Sequence, residues 1–122
     1  MTQKQVINAY EALQRLATQP MPIKTAYALH KLRKSVKPAM DFQIEQERAL
    51  LDELKPEIID NGARYKFKTP EDVERWVART NELSEMETDI EVHPVELVLT
   101  DDVSISPDDI DALTGFVEFR EG

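Results

Sequence analysis

No cysteine occurs among the 122 residues, which excludes disulfides, thiolate metal sites and a thiol nucleophile. Glycine appears only three times, too rarely for the glycine-rich loops that cradle phosphates. The two histidines, His30 and His93, stand alone, without the spacing that sets two imidazoles on one zinc ion. No apolar run approaches the ~18 residues of a membrane span. The N-terminus also lacks the apolar stretch of a secretory signal. A cytoplasmic setting without membrane contact is the expectation. No repeat with a period of 20–50 residues runs along the chain.

What is present is charge, unevenly placed. Residues 1–40 hold seven bases (Lys4, Arg15, Lys24, Lys31, Arg33, Lys34, Lys37) and one acid, Glu11, a balance of +6. The remainder holds the other 8 of 15 bases and 23 of 24 acids, a balance of −15, and the two make the net −9. Opposite charge in two halves points to internal pairing, to head-to-tail association, or to a partner for one half. Overall acidity opposes nucleic-acid binding, which works by neutralising phosphates. Apolar residues at 41% and charged ones at 32% fit one modest core in a chain of this length.

Periodicity then sets the elements. Thr2 with Gln5 has the spacing of a capping box, and Val6, Ala9, Tyr10, Leu13, Leu16 and Ala17 keep one helical face. Pro20 and Pro22 end that helix, and Pro22 can begin the next. The second pattern runs from Ile23 to Leu54, with Ala26, Leu29, Leu32, Val36, Met40, Ile44, Leu51 and Leu54 near one stripe. Pro38 interrupts it, and a kink at Ser35–Lys37 or two helices meeting there is expected. Uninterrupted, the segment would reach roughly 48 Å at 1.5 Å per residue, a length that suits packing on a second copy or a partner. Asn61-Gly62 marks a turn. Residues 63–68, 89–92 and 95–99 alternate like strands and are expected to pair with one another. Thr69-Pro70-Glu71-Asp72 and Ser106-Pro107-Asp108-Asp109 each open a helix with a cap, a proline and acids facing the helix dipole. The first of these is expected to bury Val73, Trp76, Val77, Thr80 and Leu83.

Two clusters could carry function. Lys31, Arg33, Lys34 and Lys37 form the densest positive stretch, with Lys31, Lys34 and Lys37 on one helical face. It could grip phosphates or an acidic protein groove, or be a solvated face pairing with the chain's own acids. No interleaved aromatics are there to stack on bases. The acidic C-terminal stretch, with Asp101, Asp102, Asp108 and Asp109 as its candidate contacts, could imitate a phosphate array or be solvated surface. Its spacing does not match a calcium loop. No serine has the context of an activated nucleophile, so no catalytic residue, cofactor or metal is expected.

The series Asn8-Ala9-Tyr10-x-Ala12-Leu13-x-x-Leu16, then Met21-Pro22-Ile23-Lys24-Thr25-Ala26-Tyr27-x-Leu29, resembles a group of short, uncharacterised proteins of tailed bacteriophages and prophages. The long charged helix, the acidic stretch Glu91 to Leu99 and the segment Ile105-Ser106-Pro107-x-Asp109-Ile110-x-Ala112-Leu113 complete the likeness, which covers most of the chain. It implies a bacterial cytoplasm during infection and a small non-catalytic role, and offers no catalytic residues. The expectation is a single α+β, helix-dominated domain over residues 1–122. Residues 2–54 would form an N-terminal helical hairpin with a long second helix. Residues 63–122 would add a small antiparallel sheet and two short helices. Its function would be protein–protein association with a phage or host protein, with a homo-oligomer through the long helix. The rival is an acidic phosphate mimic that blocks a host nucleic-acid-binding or defence protein.

Overall fold

The structure, a computed structural model, describes residues 1–62 and 64–121. Helix α1 (Gln3–Leu16) begins on the Thr2 capping box, in which the Gln5 amide N–H donates to Thr2 and the Gln5 side chain accepts from the Thr2 N–H. Helix α2 (Ile23–Leu54) is unbroken over 32 residues. Pro22 stands at its N-cap rather than inside it, and its carbonyl accepts from the Ala26 N–H. Pro38 therefore lies within one helix and does not divide it in two. It supplies no N–H for the carbonyl four residues back. Its ring faces outward, exposed, where water can serve that carbonyl.

A left-handed Lys55 (φ 48°) closes α2. Strands β1 (Glu57–Ile59) and β2 (Arg64–Lys66) follow as a short antiparallel hairpin, with Ile58 opposite Tyr65. Its turn holds Asp60 and Asn61 at positive φ (53° and 56°) and Gly62 at 90°, a conformation that aspartate, asparagine and glycine tolerate better than other residues. Helix α3 (Pro70–Glu85) starts at the Thr69 cap. Strand β3 (Val95–Leu99), helix α4 (Pro107–Ala112) and strand β4 (Val117–Glu121) form a separate unit. There β3 and β4 run parallel, Leu97 beside Phe119 and Val95 beside Val117.

The strand pairing differs from the sequence expectation. Residues 64–66 pair with Glu57–Ile59, not with residues 89–99. The local turn closes a hairpin at a lower entropic cost than a long-range partner requires. Residue 63, expected to begin that strand, lies outside the described residues. Residues 89–92 form no strand; Ile90 and Val92 instead pack half-buried against the core. The β3 partner is β4, reached across α4, because a parallel pair needs a crossover.

One core holds these pieces. Val6, Ala9, Leu13 and Leu16 of α1 face Leu29, Leu32, Val36 and Ala39 of α2, and Leu97, Leu113, Phe116 and Val117 close the seam. Gln3 is a buried polar residue within it, its side-chain amide donating to the Ala39 carbonyl at 2.7 Å. A β-bridge between Thr2 and Glu87 fixes the start of α1 beside the end of α3. The second half of α2 lies outside this seam: only Leu50 and Leu54 are buried there, with Leu83 of α3. Ala26 and Ile44, expected on the buried stripe, are exposed.

Because Pro38 removes a donor from a helix interior, Pro38→Ala is expected to raise stability by up to about 3 kcal/mol. Urea unfolding followed by far-UV circular dichroism measures this. An unchanged or lower midpoint would show that α2 does not run helical through residue 38.

Candidate functional site

The unbroken α2 carries the predicted basic residues on its outer side. Lys31, Lys34 and Lys37 are exposed, and Arg33 is half-buried on the flank. The Lys31 ammonium sits over the Tyr27 ring, 5.4 Å from its centroid, within reach of a cation–π attraction. Lys37 lies 3.7 Å from Asp41 one turn on. Lys31, Arg33 and Lys34 have no carboxylate within 4.0 Å among the described residues.

The predicted acids lie on other elements. Asp101 and Asp102 occupy an exposed turn after β3, and Asp108 is exposed in the first turn of α4. Asp109 differs from them. Its two carboxylate oxygens accept from the Arg15 guanidinium at 2.6 and 3.1 Å, a fork that ties the end of α1 to the start of α4. Those hydrogen bonds hold the Asp109 carboxyl below the usual aspartate range. Asp109 is thus engaged within the fold. No ion pair joins Lys31–Lys37 to Asp101–Asp109 among the described residues. The opposite charges of the two halves meet at Arg15–Asp109, at Lys37–Asp41 and at the N-terminal ammonium on Glu87, the last 2.8 Å apart. On the helix surface Lys31, Arg33 and Lys34 are left without an ion pair among the described residues.

An apolar patch was not anticipated. Of the α3 stripe expected to be buried, Leu83 is buried and Trp76 and Thr80 are half-buried, but Val73 and Val77 are open, 44% and 48% exposed. Tyr65 of β2 packs edge-on to Trp76 with ring centroids 6.0 Å apart, and Phe67 lies 5.7 Å from the same indole. Across the hairpin Ile58, paired with Tyr65, is 65% exposed. Ile58, Tyr65, Trp76, Val73 and Val77 therefore form one continuous surface at the end of the molecule away from the core. The sequence held a clue. The second half of α2 offers Gln43, Gln46 and Glu47 where a buried α3 stripe would need apolar partners.

A shallow depression between α1 and α4 is lined by Asn8, Glu11, Arg15, Asp108 and Phe116. Its charged groups include the Arg15–Asp109 pair, and no group of three or more His, Asp or Glu side chains among the described residues could hold a metal ion. No helix among them is long and apolar enough to cross a membrane.

A depressed folded-state pKa stabilises the fold above the unfolded value, near 4, and that contribution disappears as pH falls through the folded value. Asp109→Asn is therefore expected to lower the thermal midpoint at pH 7. The gap to the wild type should narrow progressively as pH falls below about 4. Thermal melts across this range test it; a gap that persists undiminished at pH 2 would contradict the assignment.

No protein-family model matches the chain, and neither a curated protein nor a solved structure matches it.

Proposed function

We propose that this protein is a non-catalytic association protein that docks onto another polypeptide and also self-associates along α2. The observation that carries the reading is the open apolar surface of Ile58, Tyr65, Val73, Trp76 and Val77. By their fractional exposure these side chains present roughly 400 Å², on the scale of functional patches on single chains and about half of what a standard interface buries per partner. Trp and Tyr are among the side chains most often found as interface anchors, here flanked by aliphatic surface. The exposed charges of α2 and of the Asp101–Asp108 segment would set orientation and exclude wrong partners more than they add affinity. The resemblance to short proteins of tailed phages and prophages would fit a role in a bacterial cytoplasm, in virion assembly or in the handling of a host protein.

Val73→Asp with Val77→Asp tests the docking surface. Both side chains already meet water, so the fold should survive, with a thermal midpoint within a few degrees of the wild type. Proteins retained from a nuclease-treated bacterial lysate at 0.5 M salt should be lost, at least tenfold, when the double variant replaces the wild type. Equal retention by both forms, or retention that disappears with nuclease treatment, would contradict the reading.

A further inference from the structure

Helix α2 is polar along its length in both senses. Residues 23–40 hold five bases and no acid, whereas residues 41–54 hold five acids and one base, Arg48. Because the helix is unbroken, these halves lie on one continuous helix. Along its outer side a 3-4 spacing picks out Lys24, Tyr27, Lys31, Lys34, Pro38, Asp41, Glu45, Arg48 and Asp52, and every one of them is exposed. That spacing is the seam of a two-helix coil, here made of charge instead of leucine.

We infer that this seam pairs with the same seam of a second copy, antiparallel, about a two-fold axis at Pro38. This rests on the self-association proposed above and specifies its face, direction and register. With the axis at Pro38, Lys24 falls opposite Asp52, Lys31 opposite Glu45, and Lys34 opposite Asp41. Arg48 falls opposite Tyr27, whose ring is 62% exposed and already accepts one cation, Lys31; an arginine on an aromatic face is a favourable pair. A two-fold axis repeats each pair, so the seam carries eight complementary contacts and no like-charge contact at these positions. Parallel in-register pairing would set each charge against itself. Shifting the antiparallel register by one turn would bring Lys31 toward Arg48. The charge order thus selects one arrangement, as e and g charges do in other coiled coils. Pro38 suits the axis because it is exposed and carries no charge to be doubled there. Asp41 of the seam already has Lys37 at 3.7 Å on its flank, and its carboxylate can accept from that ammonium and from Lys34 of the second copy together. Exposed ion pairs are individually weak and screened by salt, so this association is reversible and salt-dependent. The two apolar patches would then sit at opposite ends of the dimer, making it a bivalent connector.

Sedimentation velocity at 50 and 300 mM NaCl tests the pairing. The wild type should form a dimer that weakens roughly tenfold or more between the two salt concentrations. Lys31→Glu with Lys34→Glu, and separately Asp41→Lys with Glu45→Lys, should each weaken homodimerisation at least tenfold. An equimolar mixture of the two variants should restore a dimer. A wild type that stays monomeric at several hundred micromolar and 50 mM NaCl would overturn self-association and this inference together. A wild-type dimer that both variants form equally well would overturn only the seam. Direction is read independently, since the chain has no cysteine of its own. A spin label at Ala49→Cys should report about 35 Å between copies, from eleven residues on either side of the axis at 1.5 Å each. A separation near 10–15 Å would mean parallel helices and would contradict the arrangement.

Discussion

Everything else in the molecule is positioned by the seam between α1 and the first half of α2. Fourteen residues of α1 meet a helix of 32, so one partner is more than twice as long as the other. The apolar face of α1 is fully used, and the small β3–α4–β4 unit closes over the same half through Leu97, Leu113, Phe116 and Val117. Gln3 sets the offset, because its buried amide reaches the Ala39 carbonyl near the middle of α2. Beyond that point α2 continues with only α3 against it, and the hairpin rests on α3 through Tyr65 and Phe67 at Trp76; those elements bury little. The length mismatch is what leaves apolar side chains of α3 in water.

This division separates the packed core from the proposed interaction surface. Burial at one end supplies the free energy of folding, since deeply packed Leu13, Leu16 and Leu97 each account for a few kcal/mol. At the other end, the Arg75–Glu53 pair and the Tyr65–Phe67–Trp76 cluster hold α3 and the hairpin in place. They do so without sealing the surface. Segments with few buried contacts open at lower free energy than the core, so the proposed docking end is also the part a partner would stabilise most. Charge acts differently from burial here. The Arg15–Asp109 fork fastens α4 to α1, whereas the bases and acids of the α2 outer face have no such internal use beyond Lys37–Asp41.

Local chemistry made the helices legible. Thr2, Thr69 and Ser106 each cap the helix they were expected to cap, because an N-cap depends on a few neighbouring residues and little else. The α+β, helix-dominated fold and the helical hairpin followed from the same reasoning. Strand pairing was not legible in the same way. Alternation identifies a strand face, but nothing in Val95–Leu99 says whether its partner is upstream or downstream, and the true one is Val117–Glu121. The α3 stripe, buried at Leu83 but open at Val73 and Val77, departs from expectation for a related reason. Periodicity reveals that Val73, Trp76 and Val77 share a face, while burial depends on what lies opposite. Of the candidate residues, Lys31, Lys34, Lys37, Asp101, Asp102 and Asp108 are exposed, Arg33 is half-buried, and Asp109 is held by Arg15.

Amide hydrogen exchange across a range of protein concentrations is the most direct test of this division. Residues 3–16 and 29–39 should be strongly protected at every concentration. Residues 41–54 and 70–85 should exchange faster in dilute solution and slow as the protein is concentrated. Equal protection of both regions, unchanged by concentration, would contradict the view that one end of the molecule is a finished core and the other a surface completed by association.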